Sequence, residues 1–139
     1  MKRILTLLLI TVFILCLSAT AFADEGTEPR ASNYFGSYGI SLSSPGSGQV
    51  NFTMNCTSEG TASQLGVSSY SVQKYTSSGW VSVASGGSNY KYGVSSYALS
   101  KTFNGVAGEQ YRVKCTFLCT KSNATSESKT YTSRTITAN

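Results

Sequence analysis

The side chains that could carry acid–base chemistry are few in this chain. It has no histidine, and six acidic residues stand against eleven basic ones. General acid–base catalysis uses histidine or a poised carboxyl group, and a glycosidase needs two facing carboxyl groups about 5–10 Å apart. Glu59 and Glu127 could share one end of the fold, but nothing in the sequence pairs them. A serine nucleophile is equally unsupported, because the GSYG stretch at 36–39 lacks Gly-x-Ser-x-Gly spacing. The sequence therefore predicts a protein that is not an enzyme and has no cofactor.

Aromatic side chains offer a different chemistry, the stacking of a flat ring on a ligand. Tyr75 and Trp80 flank a short turn at 76–79, which predicts a hairpin with both rings on its outer surface and Val72 opposite Val83 on its inner one. Two further tyrosines and two cationic residues would extend this platform. The candidate ligand-binding residues are Tyr75, Trp80, Tyr90, Tyr92, Arg112 and Lys114. The alternative is structural, because a cross-strand aromatic pair itself stabilises a sheet by about 0.2–1 kcal/mol.

Three cysteines lie beyond the N-terminal region: Cys56, Cys115 and Cys119. Cys115 and Cys119 are four residues apart on one predicted strand, roughly 13 Å, whereas a disulfide needs Cα atoms within about 7 Å. An intrachain disulfide would therefore join Cys56 to one of them, with Cys119 favoured if the two strands run the same way. The alternative is that all three are buried, reduced thiols. Their spacing does not match a zinc site, so no metal is expected.

Alternating apolar and polar residues define the strands that would position these side chains. The alternation is clearest over 49–57 and 109–120, and no segment has helical spacing. Loops are expected over 58–64 and over 85–95, the latter alternatively a short edge strand. The predicted strands are 34–43, 49–57, 67–75, 80–84, 96–103, 109–120 and 129–137. About seven strands in this length predict an all-β, immunoglobulin-like (fibronectin-III-like) antiparallel β-sandwich.

The N-terminal region has the pattern of a secretory signal peptide. Lys2 and Arg3 precede an apolar run over 4–17, and the Ala-Phe-Ala at 21–23 matches a cleavage site. Lipidation at Cys16 is the disfavoured alternative, because a leucine rather than a small residue precedes it. The predicted organisation is a signal peptide at 1–23, a flexible leader at 24–32 and a β-sandwich domain at 33–139.

Charge limits the expected partners. Removal of Lys2 and Arg3 with the signal peptide leaves nine basic residues against six acidic ones, a net charge of +3. These charges are spread over many strands, whereas a nucleic-acid interface would cluster them. The run at 4–17 is shorter than the roughly 20 apolar residues of a membrane span. We expect a secreted, extracellular protein with no nucleic-acid partner and no stable membrane insertion after signal cleavage.

Several short motifs carry a resemblance. They are Pro-Arg-Ala-Ser at 29–32, Tyr-Phe followed by Ser-Tyr at 34–38, the 72–83 hairpin with its Gly-Trp, and Ala-Gly-Glu-Gln-Tyr-Arg-Val at 107–113. Together they resemble a family of short, uncharacterised secreted proteins of Gram-positive bacteria. The 105–113 run is also similar to the turn and tyrosine that enter the sixth strand of immunoglobulin-like domains, where the tyrosine hydroxyl bonds back to the preceding corner. The resemblance implies compartment and architecture, but no mechanism.

The functional expectation follows from these exclusions. We expect a secreted, non-catalytic module that binds an extracellular ligand: a cell-surface polymer, a glycan or a protein. Two alternatives belong to other classes. One is a bacteriocin-like or toxin-like protein, which the lack of an amphipathic or strongly cationic segment disfavours. The other is a structural matrix component linked through its odd cysteine.

Overall fold

The computed structural model describes residues 32–139, and this part of the chain is all-β with no helix. The predicted signal peptide at 1–23 and nearly all of the predicted leader at 24–32 lie outside the described residues. Within 32–139 no helix is long and apolar enough to cross a membrane. The strands are β1 (Phe35–Gly46), β2 (Gln49–Thr76), β3 (Gly79–Gly86), β4 (Asn89–Asn104), β5 (Gln110–Thr120), β6 (Ser126–Thr132) and β7 (Ile136–Thr137).

All strand pairs are antiparallel and belong to one sheet, in which β2 is the shared strand. The start of β2, Gln49–Thr57, lies between β1 and β4. Its end, from Tyr70 onward, lies between β3 and β5. The β2–β4 register shifts between Thr57 and Ala62, and a bulge of this kind bends a strand and increases its twist. The sheet therefore curls, with one face inside and one outside.

This bend corrects the predicted loop over 58–64. Those residues belong to β2, so the strands predicted at 49–57 and 67–75 are one continuous strand. The sequence Ser-Glu-Gly-Thr at 58–61 interrupts the alternation, and Gly60 takes a φ of 73°, which glycine adopts at little cost. A bulge and a loop thus leave the same signature in the sequence. The 85–95 segment is likewise mostly strand, shared between β3 and β4.

The last predicted strand, 129–137, divides into β6 and β7 at Ser133. The Ser133 hydroxyl accepts a hydrogen bond from the Val113 N–H at 2.9 Å and donates one to the Arg134 carbonyl at 2.8 Å. The Ser133 N–H also donates to the Val113 carbonyl at 2.8 Å. The Ser133 hydroxyl therefore replaces a backbone carbonyl as the acceptor for the Val113 N–H, and the regular backbone pairing with β5 is interrupted there.

The core lies on the inner face of the curled sheet, as the alternation of 49–57 and 109–120 predicts. Aromatic contacts join strands that are not neighbours: the Tyr38 and Phe117 ring centroids are 5.9 Å apart, and those of Phe103 and Tyr111 are 5.4 Å apart. The buried apolar residues are Phe35, Leu42, Val50, Phe52, Met54, Cys56, Ala62, Leu65, Val67, Val72, Tyr97, Tyr111, Val113, Cys115, Phe117, Cys119 and Ala138.

The turn before β5 is fixed by Tyr111. Its hydroxyl accepts a hydrogen bond from the Val106 N–H at 3.0 Å. A Cβ at Gly105 would lie 2.8 Å from a carbon of the Tyr111 ring, so the close approach requires glycine there. The hydroxyl thus bonds back to the preceding turn, the contact that the 105–113 motif implied.

Candidate functional site

Four of the six candidate residues, Tyr75, Trp80, Arg112 and Lys114, lie on the outer face formed by β3, the end of β2 and β5. Directly paired residues of antiparallel strands share a face, and the pairs here are Tyr75 with Trp80 and Gln73 with Arg112. Residue 111 is buried on the opposite side, so Arg112 points outward. We call the outward side chains of Gln73, Tyr75, Trp80, Arg112 and Lys114 the aromatic face.

Four side chains of the aromatic face, those of Gln73, Tyr75, Trp80 and Arg112, are in contact. The ring centroids of Tyr75 and Trp80 are 5.2 Å apart with the planes inclined at 57°. The Arg112 guanidinium carbon lies 4.2 Å from the Trp80 ring centroid, a cation–π distance. The Arg112 Nε donates a hydrogen bond to Gln73 Oε1 at 2.8 Å. The predicted Tyr75–Trp80 pairing is therefore confirmed, and one cation is fixed against it.

The aromatic face is open and cationic. Tyr75 is 51% exposed, and an open pocket beside it is lined by Lys74, Thr76, Ser77 and Glu109. The Lys74 ammonium and the Glu109 carboxylate are 3.1 Å apart, so these two charges compensate each other.

The charge of Arg112, in contrast, has no such partner nearby. No carboxylate of residues 32–139 lies within ion-pair distance of Arg112 or Lys114. The two cations are two residues apart on one strand face, about 7 Å. They therefore remain available to a ligand that approaches the outer surface.

Tyr90 and Tyr92 lie on the same outer side but at its far end. Tyr90 is opposite Gly66, nine residues before Tyr75 on β2, which places it roughly 30 Å from that tyrosine along the strand. The Tyr90 hydroxyl donates to Ser68 Oγ at 3.3 Å, and Tyr92 is 71% exposed. They form a separate aromatic region rather than a continuation of the Trp80 cluster.

The hairpin differs from its predicted register in one place. Val72 pairs with Ala84 rather than with Val83, because a bulge follows between Val72 and Gln73. Val72 is buried, whereas Val83 is 43% exposed. The predicted inner Val72–Val83 pair is therefore wrong. The Tyr75–Trp80 pair is unaffected, because it lies on the turn side of the bulge.

The three cysteines lie in the core as free thiols. Each is at most 1% exposed, and the Cys119 thiol donates to the Tyr34 carbonyl at 3.5 Å. Burial raises the pKa of Cys56 and of Cys115 from 9.0 to about 12, and burial also raises the pKa of Cys119. A protonated, buried thiol is a poor nucleophile. Because all three cysteines are free thiols, the favoured Cys56–Cys119 disulfide is not formed in this structure.

The two carboxylates considered for catalysis do not form a facing pair of free acids. Glu127 pairs with Lys129 at 2.6 Å and accepts a hydrogen bond from Ser32. The Lys129 hydrogen bond, followed by that from Ser32, lowers the pKa of the Glu127 carboxyl. Among residues 32–139 no three His, Cys, Asp or Glu side chains form a group able to hold a metal ion.

The structure thus brings Tyr75, Trp80 and Arg112 together, places Lys114 beside them, and leaves the two later tyrosines apart. Sequence reasoning did not identify Gln73, which orients Arg112; no signal in the sequence marks a glutamine as an arginine partner across a strand pair. Comparison of the chain with protein-family models, with curated proteins and with solved structures finds no match.

Proposed function

We propose that this chain is a secreted, non-catalytic β-sandwich that binds an extracellular glycan through the aromatic face. The observation that carries the proposal is the outward Tyr75–Trp80 pair with Arg112 against it. Flat aromatic rings on a rigid sheet can stack on sugar rings, while nearby donors orient a ligand. The signal-peptide pattern at 1–23 supports secretion.

The proposal that the fold is an immunoglobulin-like sandwich rests on the different strands that pair with the two ends of β2. Its two ends have different neighbours, β1 with β4 and then β3 with β5. Ring contacts such as Tyr38 with Phe117 then link the β1 side to the β5 side across the core. Sandwiches bury two inner faces against each other in this way. The hydrogen bond to the Tyr111 hydroxyl is the feature shared with tyrosine corners.

The shape and the charge of the aromatic face suit a polymer better than a small molecule. Small-molecule sites are enclosed cavities, whereas the pocket beside Tyr75 is open. Stacking a repeating chain on an exposed ring needs no enclosure. The salt bridges of Glu109 and Glu127, together with the buried thiols, support a non-catalytic role.

No observation favours the alternative of a toxin-like protein over binding. The alternative of a disulfide-linked matrix component needs an accessible thiol, and all three cysteines of residues 32–139 are buried. The competition experiment described next distinguishes a protein ligand of the aromatic face from a glycan ligand.

The test is retention of the purified mature protein on bacterial cell walls, mucin and insoluble polysaccharides. We expect saturable retention of the wild-type protein. Trp80→Ala should lose a contact worth about 2 kcal/mol, which lowers the affinity about 30-fold. Tyr92→Ala is the matched control, because it removes an exposed aromatic ring that lies opposite Gln64, roughly 36 Å from Tyr75 along β2. Equal losses in both variants, or retention that Trp80→Ala leaves unchanged, would contradict the proposal. Competition by proteins but not by sugars would indicate a protein ligand.

A further inference from the structure

We infer that Arg112 is a preorganised acid-recognition group, and that the glycan bound at the aromatic face carries carboxylates, as a uronic-acid polymer does. This inference rests on the proposed function and names its ligand class. It starts from one unusual feature: the arginine is held in place by two uncharged partners. One is the Trp80 ring 4.2 Å from its guanidinium carbon, and the other is the Gln73 side-chain oxygen 2.8 Å from its Nε.

These two contacts leave the end of the guanidinium available. Nε is occupied by Gln73, and the terminal nitrogens have no hydrogen-bond acceptor among residues 32–139. A guanidinium presents its donors in a fixed planar fork that matches the two oxygens of a carboxylate. The unoccupied edge of Arg112 therefore has the geometry of a bidentate acid site.

Preorganisation makes this edge effective. A free arginine side chain loses much rotamer freedom when it binds, and a group already fixed in its bound position avoids that loss. Stacking on Trp80 also covers one face of the indole. A ligand therefore meets the guanidinium edge together with the ring of Tyr75, which is 51% exposed.

The charges around the site agree with an acidic ligand. Lys114 lies two residues further along the same face, is exposed, and adds a second positive charge about 7 Å away. Glu109, the acidic residue immediately before β5, forms a salt bridge with Lys74 at 3.1 Å. Glu59 and Glu127 lie near Lys121 and Ser32, at the other end of the sheet. An anion that approaches Arg112 thus meets attraction without a competing carboxylate.

The experiment compares polygalacturonate with its fully methyl-esterified form, which has the same sugars without the charge. Wild-type protein is expected to bind the acid at least tenfold more tightly than the ester. Arg112→Lys keeps the charge but not the fork or the stacking, and should lower this preference to less than threefold. Because both polymers are tested on one sample, partial misfolding would weaken both and leave the ratio unchanged.

Three results would overturn the inference. One is equal binding of acid and ester by the wild type; if this binding still depends on Trp80, the proposed glycan function stands and only the acid assignment fails. Another is an acid preference that Arg112→Lys retains. The third is a preference for dextran sulfate over polygalacturonate, which would replace the carboxylate with a sulfate. Binding to none of these polymers, nor to the cell walls and mucin tested above, contradicts both proposals.

Discussion

The two outer surfaces of the curled sheet are built from the same strand but differ in chemistry. The aromatic face lies on the end of β2, and the opposite surface lies on its start, between β1 and β4. We call that opposite surface the hydroxyl face. Its outward positions form four rows across the three strands: Ser37–Thr57–Ser96, Gly39–Asn55–Ala98, Ser41–Thr53–Ser100 and Ser43–Asn51–Thr102.

The polar groups of the hydroxyl face largely satisfy one another. Thr53 and Ser100 share a hydrogen bond at 2.8 Å, and Thr102 donates to the Asn51 side chain at 2.8 Å. None of its outward residues is charged or aromatic. Such cross-strand pairs stabilise a sheet, and short side chains expose little apolar area. This surface therefore needs no partner beyond water.

The aromatic face lacks this self-sufficiency. Its arginine contacts only uncharged groups among residues 32–139, and its tyrosine ring is half exposed. Both surfaces rest on one core, so the core does not account for the contrast. The difference teaches that function is best sought where polar and aromatic groups are held in place but left without a full set of partners.

The largest expected effect comes from the core that both faces share. Phe52 lies behind the hydroxyl face and Phe117 behind β5, and each is at most 3% exposed. Each Phe→Ala substitution should lower the free energy of unfolding by about 3–5 kcal/mol, measured by urea denaturation. Near-equal losses are expected. A cost below about 1 kcal/mol for either variant would mean that the two faces do not share a cooperative core.

Alkaline pH should produce the next largest effect, also through the core. Burial holds the pKa of Cys56 and Cys115 at about 12 instead of 9.0. Above pH 9 the unfolded chain releases these thiol protons while the folded chain keeps them, so stability falls as pH rises from 9 to 12. The urea midpoint should decrease across that window in reducing buffer. Cys56→Ala should make the decrease shallower, and an unchanged slope would contradict this origin.

The smallest effect separates the two faces directly. A double-mutant cycle on Arg112 and Trp80 should give a coupling of about 0.5–1 kcal/mol in unfolding free energy. The matched cycle on Thr53 and Ser100 should give about 0.2–1 kcal/mol. Adding polygalacturonate should enlarge only the first coupling, because the proposed ligand would contact only the aromatic face. An equal increase on the hydroxyl face would remove the functional contrast between them.

Sequence patterns predicted most strands and the inward direction of the cysteines, because burial on one face imposes a period of two on residues such as Val113 and Phe117. The favoured Cys56–Cys119 disulfide was not found, and the three thiols are free. The patterns also predicted the Tyr75–Trp80 pair, since the turn between them fixes the register. They failed at two of the bulges, the one near Gly60 and the one after Val72. A bulge changes which face a residue occupies, and no residue type marks the bulge at Val83. The alternation therefore predicts an inner Val83, whereas the side chain is exposed.

The candidate site was predicted only in part for a related reason. Its members Trp80 and Arg112 are 32 positions apart in the chain, and their contact depends on β3 and β5 flanking the same part of β2. The Gln73–Arg112 hydrogen bond has the same origin. Tyr90 and Tyr92, in contrast, are near Trp80 in sequence but pair with an earlier part of β2, so proximity in the chain was misleading.

The most direct test of ligand binding at the aromatic face is the fluorescence of Trp80, which is the only tryptophan of the chain. Its emission therefore reports on this surface alone. Titration of the mature protein with polygalacturonate should change that emission saturably, with the same midpoint as retention on the immobilised polymer, and Arg112→Lys should weaken both together. Saturable retention without any change in Trp80 emission would place the ligand elsewhere and contradict the account.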